Sequence, residues 1–241
     1  MVLDPKIRFN AYHLKMIALI TMFLDHFARI IYPDLYILKV VGRLAFILYA
    51  FLLVEGFTHT KSSKHYFFRL LIFALLSEIP YDLAFGGQWF DTSRQNIFFT
   101  LLAGLSALMV IDSNKISSDV KILLIVALVT AANLFHFDYY YLGVLQVVCF
   151  YVFRTNVLKQ FLTVGILNLF YMFRISTQSA AILGLLPIYL YNGDRGKKTG
   201  ILFYIFYPAV IGNSEYTIFG NYECSKNGKN GAAFLAIKIA A

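Results

Sequence analysis

Apolar runs recur along almost the whole chain at close to the roughly 17 to 25 residues needed to cross about 30 Å of hydrocarbon. They begin with LKMIALITMFL and return as late as ILFYIFYPAVI. No soluble domain of useful size fits between them. The pattern predicts an all-α fold, a polytopic integral membrane bundle of about nine transmembrane helices near 11–31, 41–59, 66–85, 95–112, 119–136, 139–153, 157–173, 178–191 and 200–219. Of the 241 residues 59% are hydrophobic and 14% are charged, against about 25% charged in soluble domains. Several runs are short for a full crossing, so they are expected to tilt or to be shielded by neighbours. The first run is expected to stay as the first span: it is long, holds an ionisable cluster in its second half and lacks a small-residue cleavage pattern after it. With no internal repeat and no low-complexity segment, residues 1–220 read as a single transmembrane domain and 221–241 as a polar tail.

The net charge of +8 is expected to set topology rather than to bind nucleic acid, because basic loops mark the cytoplasmic side of a polytopic chain. Lys6, Arg8, Lys61, Lys64, Arg69, Lys115, Lys121, Arg154, Lys159 and the NGDRGKK turn alternate onto one side. On the other side Lys39, Arg43, Arg94 and Arg174 sit beside Asp34, Asp91 and Asp138. A cytoplasmic N-terminus follows, and for a bacterium the location is the inner membrane, with the far face periplasmic or external. Cys149 and Cys224 form neither a disulfide framework nor a metal-ligand spacing. No P-loop, zinc motif, dinucleotide fingerprint or nucleophile elbow is present, and no metal is expected.

Within this topology Asp25, His26 and Arg29 of ITMFLDHFARII fall in the outer half of the first span. Arg43 of VVGRLAF, Glu78 and Asp82 of LLSEIPYDLAF, and Gln95 and Asn96 of RQNIFFT reach the same layer from the next three spans. Each ionisable group in the middle of a span costs about 2.5–3.5 kcal/mol on insertion scales, so such groups face a protein interior or water and pair with one another. Asp25 and Arg29 are four apart and can pair, whereas His26 projects about 100° from Asp25 and needs a partner from another helix. Arg43, Glu78 and Asp82 are the candidates. A His held by a carboxylate in a partly dry site is the usual general base near neutral pH; the alternative is a structural hydrogen-bonding His at a helix end. Glu78 and Asp82 flank Pro80, which is read as interrupting its helix, so they serve either that break or the chemistry. Asn96 opens an apolar run where an N-cap belongs. Glu55 reads as an interhelical contact in preference to a cofactor contact. The YLYNGDRGKK turn, with Arg195, Lys197 and Lys198, either holds phosphates or only marks topology. Proton relays in transporters use the same residue types, although no paired repeat is visible here. A non-catalytic membrane assembly protein is the third class.

The runs LKMIALITMFLDHFARIIYP, VGRLAFILYAFLLVEGFTHTKS, RLLIFALLSEIPYDLAF, QNIFFTLLAG and LLPIYLYNGDRG, in this order, resemble the TraX family of membrane proteins, whose namesake acetylates the amino terminus of conjugative pilin. The likeness spans about residues 10–208. It implies a transmembrane acyltransferase that takes acetyl from cytoplasmic acetyl-CoA to an acceptor peptide amine or a glycan at or beyond the bilayer. The apolar first helix ending in a His also resembles related sugar and polysaccharide O-acyltransferases. By this resemblance His26 is the catalytic base, Asp25, Arg43, Glu78 and Asp82 share the catalytic site, and Arg43 or Asn96 stabilises the oxyanion. Asn96, Asn192, Arg195 and Lys197 are placed on the donor side. After FYIFYP the family continues through a His into another apolar span, whereas this chain turns to a stretch rich in Gly, Asn and Lys. This stretch is either a divergence from the family or a replacement of its last helix, and the resemblance does not extend to that span or to any family residue in it.

Overall fold

A computed structural model describes residues 8–30, 32, 34–173 and 176–198. The ninth span expected at 200–219 and the tail at 221–241 lie outside the described residues. Within these the chain is all-helical: α1 (Ala11–Ile30), α2 (Tyr36–Thr58), α3 (Ser63–Gly86), α4 (Ile97–Asp112), α5 (Ser118–Leu134), α6 (Tyr140–Val152), α7 (Val157–Met172), a 3₁₀ segment (Ser176–Gly184) and α8 (Leu185–Tyr189). Two isolated bridges, Phe9 with Tyr191 and Gln95 with Phe137, are the β-pairing among the described residues.

The helices α1 to α7 fall on the first seven apolar runs. Side-chain caps fix several ends: Ser62 Oγ accepts from the His65 N–H at 3.4 Å at the start of α3, and Asn156 Oδ1 accepts from the Lys159 N–H at 3.0 Å at the start of α7. The eighth run departs from the expected single helix over 178–191 and divides into the 3₁₀ segment and the five-residue α8. Two local causes act together. Ser176, Thr177, Gln178 and Ser179 offer the backbone competing hydrogen bonds, and Gly184 brings the chain against α2, where a Cβ would lie 2.2 Å from Ile47 Cγ2. Pro187 then sits in the first turn of α8, where its missing N–H costs nothing. The break expected at Pro80 is also absent, since α3 runs through it to Gly86. Pro80 removes only the N–H that would have reached the Leu76 carbonyl, while the bonds on either side carry the helix onward.

α2 is the hub: it packs along α1 and also meets α4, α6, α8 and the 3₁₀ segment. Its buried residues, Phe46, Ile47, Leu48, Ala50, Leu53 and Val54 among them, form the centre of the apolar core. Among the described residues α2 is also the one helix long and apolar enough to cross a membrane by length and composition. The others fall short for two reasons. α4, α6 and α7 are apolar but only 16, 13 and 16 residues long, and the 20-residue α1 carries Lys15, Asp25 and Arg29. Large apolar side chains nevertheless face outward in helical rows, such as Phe68, Ile72, Leu75 and Ile79 on α3 and Leu158, Leu162, Ile166 and Phe170 on α7. Polar side chains take the interior, with Gln146, Asn168 and Gln178 completely buried.

Candidate active site

The site begins where α1 and α2 come closest. A Cβ on Gly42 would lie 2.3 Å from the Asp25 Cβ, so only a glycine lets the Asp25 side chain enter between the two helices. There Asp25 Oδ2 pairs with Arg29 Nε at 2.7 Å, the i to i+4 pair expected from sequence, and Asp25 Oδ1 faces Arg43 at 3.9 Å from α2. Asp25 and Arg43 are both buried, and the Arg43 guanidinium also lies 6.0 Å from the Tyr139 ring centre. One carboxylate thus bridges two guanidinium groups on adjacent helices, an arrangement that holds buried charge by mutual pairing.

His26 sits one residue further along α1. Its Nδ1 is 2.9 Å from the Met22 carbonyl oxygen, and its ring packs edge-on against Phe85 of α3 at 5.8 Å. A carbonyl can only accept, so Nδ1 carries the hydrogen and Nε2 is the basic nitrogen. The orienting group is therefore a backbone carbonyl of its own helix, where sequence reasoning placed Glu78, Asp82 or Arg43. A small chamber of about 40 Å³ lies beside His26, lined also by Asp25, Arg29, Phe46, Asp138 and Tyr139.

Glu78 and Asp82 turn elsewhere. Glu78 Oε2 accepts from the Asn96 backbone N–H at 3.2 Å and from its side-chain amide, and that amide also donates to the Ala74 carbonyl at 2.8 Å. Asn96 Oδ1 accepts from the Phe98 N–H at 2.9 Å, so Asn96 caps α4 as expected and lines neither this chamber nor the larger cavity described next. Asp82 Oδ2 accepts from the Asp91 N–H at 2.9 Å and pins the loop after α3. In that loop the backbone N–H and hydroxyl of Ser93 hold the Asp91 carboxyl below its ordinary range. The expected four-helix cluster is two clusters, one around Asp25 and one around Asn96.

A cavity of about 680 Å³ occupies the other half of the bundle. Its lining carries Lys15 of α1 with the exposed Lys61, Arg69 of α3 and Arg195, and it also includes Met22, Tyr49 and Ile97. These three residues also line the His26 chamber. Glu55 of α2 stands on the cavity wall and accepts from the hydroxyl of Tyr191, just beyond α8, at 3.0 Å, so it makes a polar contact between segments from a position that also faces the cavity. Of the expected donor-side residues, Arg195 lines the cavity. Asn192 instead closes its own turn, accepting from the Asp194 N–H at 2.9 Å and donating to Asp194 Oδ2 at 2.7 Å. The Lys197 ammonium lies 6.0 Å from the Tyr12 ring centre and does not line the cavity. The turn is laced to the start of α1 by Phe9 N–H to Leu190, Asn192 N–H to Phe9 and Ala11 N–H to Asp194, each at 2.8 Å.

Asp138, which the sequence marks only as an outer-side charge, and Tyr139 also belong to the site. They reach the chamber on a loop in which His136, Tyr139 and Tyr140 all adopt positive φ, at 52°, 65° and 47°. Such non-glycine conformations cost of order 1–3 kcal/mol each and persist where surrounding contacts impose them. Here Thr100 Oγ1 donates to the Asp138 carbonyl, Gln95 N–H donates to His136 at 3.1 Å, and the Tyr139 ring stacks on Phe46 at 4.0 Å. Gln146, Asn168 and Gln178 went unread: both glutamine amides donate to Asn168 Oδ1 at 2.8 Å and tie α6, α7 and the 3₁₀ segment together.

No solved structure matches the chain. The Probable fimbrial assembly protein FimC, serogroup H1, of Dichelobacter nodosus is 31% identical over 234 residues, covering 87% of this chain and 96% of that relative. The family model described as TraX protein matches residues 11–211. With the first-helix run through His26 and the turn at Arg195 both inside that match, the chain belongs to the TraX protein family.

Proposed function

We propose that this protein is an integral membrane acyltransferase of the bacterial inner membrane, with α1 to α7 and the segments after them forming a polytopic bundle. It moves acetyl from cytoplasmic acetyl-CoA to an amine or hydroxyl presented at the outer side. The observation that carries this reading is the junction of two spaces: a wide cavity with cations in its lining meets, across Met22, Tyr49 and Ile97, the small chamber that holds His26. Lys15, Arg69 and Arg195 suit the phosphates of CoA. Lys15 and His26 are eleven residues apart on α1, about 16 Å at 1.5 Å per residue, a gap that the pantetheine arm crosses. The outward apolar rows on α3 and α7 support a lipid surround. The name of the FimC relative supports a place in fimbrial processing or assembly, with a fimbrial subunit or its glycan as acceptor.

In this mechanism His26 Nε2 takes the proton of the acceptor as its nitrogen or oxygen attacks the thioester carbonyl. The new C–N or C–O bond forms, the C–S bond breaks, and His26 returns the proton to the CoA sulfur. Arg29, on the chamber wall and fixed by Asp25, is the cation that meets the developing oxyanion, a role worth a few kcal/mol. Arg43 acts through Asp25. The test is transfer of labelled acetyl from acetyl-CoA in proteoliposomes, with an acceptor panel of peptide amines and sugars. Label should move with the intact protein and fall to background with His26→Ala. Equal transfer by a folded His26→Ala protein would sink the assignment of His26, and no transfer to any acceptor without binding of CoA would remove the enzyme reading.

A further inference from the structure

The junction itself carries a specificity consequence. We infer that the ring of Met22, Tyr49 and Ile97 sets the length of acyl chain the protein transfers, passing two-carbon groups to His26 and stopping longer ones in the wide cavity. This rests on the acyltransferase reading. The three residues come from α1, α2 and the first residue of α4, and each lines both spaces. Two of the three are tied together, because the Tyr49 hydroxyl donates to Met22 Sδ at 3.7 Å. Methionine alone would be a soft barrier, since its unbranched thioether adapts to what presses on it. Anchored to Tyr49 and backed by the core, with only 6% of Met22 and 9% of Ile97 exposed, it is a narrow one.

Beyond the ring the chamber holds about 40 Å³. The cavity on the near side holds about 680 Å³, so a two-carbon group finds beside His26 the room that a longer chain finds only in the cavity. The far wall cannot widen easily, because Phe46 and Tyr139 are stacked at 4.0 Å and Tyr139 is fixed by the pinned loop. A methylene more or less in a well-fitted apolar pocket changes kcat/KM by about 10- to 200-fold.

The experiment uses the full chain in lipid nanodiscs, with hydroxylamine as a small nucleophile and acetyl-CoA, butanoyl-CoA and hexanoyl-CoA as donors. Hydroxylamine nitrogen forms the C–N bond, the C–S bond breaks, and the displaced proton ends on the CoA thiol, so hydroxamate is the readout. The wild type should use butanoyl-CoA at least about 10-fold less well than acetyl-CoA, and hexanoyl-CoA less well again. Met22→Ala should raise the hexanoyl to acetyl ratio about 10-fold or more. Ile97→Val removes one methyl from the same ring and should shift the ratio in the same direction, which covers the case in which Met22→Ala does not fold. Hexanoyl transfer by the wild type within about threefold of acetyl overturns the inference, as do ring variants that lower all donors equally. Binding of free CoA is measured alongside. A protein that binds CoA and transfers all chain lengths fails only here, whereas one that neither binds CoA nor turns over any donor fails at the acyltransferase reading, and the inference falls with it.

Discussion

Asp25 and Glu78 are carboxylates delivered to neighbouring positions by sequence, yet one lines a chamber and the other does not. Asp25 enters between α1 and α2 beside Gly42 and meets two guanidinium groups. Glu78 meets Asn96, which also caps α4. The difference lies in what each carboxylate finds. Backbone N–H groups at a helix start are obligatory donors that must be satisfied, and they take up Asn96 Oδ1 and one oxygen of Glu78, on a side of the bundle where neither residue lines a cavity. The interior of two continuous helices offers Asp25 no spare N–H, so it pairs with side chains and holds them beside His26.

The sharpest break between the two clusters is expected at His26. His26→Gln keeps an amide able to donate to the Met22 carbonyl but removes the basic nitrogen. Acetyl transfer should fall by about 10²- to 10⁴-fold, the usual contribution of a positioned acid–base group, with the thermal midpoint nearly unchanged. A parallel loss of thermal stability and activity would make His26 a structural residue like Asn96.

Asp25→Ala comes next and should act on stability as well as rate. It leaves Arg43 buried beside no carboxylate, a change of about 3–5 kcal/mol for fully buried pairs. The lower end, about 3 kcal/mol, applies because the Arg29 side chain is 33% exposed and can turn to solvent or headgroups. Asp82→Ala loses one accepted hydrogen bond from Asp91, a net effect of about 1 kcal/mol. Thermal unfolding in one detergent orders the two, and a larger effect at Asp82 would reverse the contrast. Gly42→Ala tests the same joint from the α2 side. Its methyl cannot coexist with the Asp25 side chain as placed, and overpacking of this kind costs about 1–3 kcal/mol. Double substitution with Asp25→Gly, which also removes the Cβ that lies 2.3 Å away, should recover part of that loss.

Helix positions were legible because apolar runs and polar breaks alternate so regularly in this chain. The Asp25–Arg29 pair was legible because it is local, and the cap at Asn96 because N-caps carry their own residue signature. What sequence could not show was which long-range partner wins. The reading of four successive spans put polar groups at one depth, but depth says nothing of rotation, and α3 turns Glu78 and Asp82 toward α4 and the following loop while presenting Phe85 to His26. The place of Asp138 and Tyr139 in the site was hidden for a related reason. They lie in a connection, and only the pinned left-handed backbone carries them to the chamber. The run HFDYYYLG holds a faint signal, an Asp among aromatics directly before a helix.

The smallest expected effect on the rate, none at all, falls at Asn96 and is the most discriminating for the second cluster. Asn96→Ala removes the cap on the Phe98 N–H, the bond to the Ala74 carbonyl and one of the two donors to Glu78. Loss of such a cap costs about 0.5–2 kcal/mol, and the buried Glu78 oxygen keeps the Asn96 backbone N–H at 3.2 Å, so the total should stay near about 2 kcal/mol. Asn96→Ser, whose hydroxyl can still accept from the helix start, should restore about half. Asn96→Asp keeps a cap acceptor but sets a second carboxylate against Glu78, and should be no better than Ala. Acetyl transfer per folded molecule at saturating donor should be unchanged in all three, because the side chain lines neither space. A drop of about tenfold or more in that rate, with the unfolding midpoint unmoved, would instead put Asn96 in contact with the donor and join the two clusters into one site.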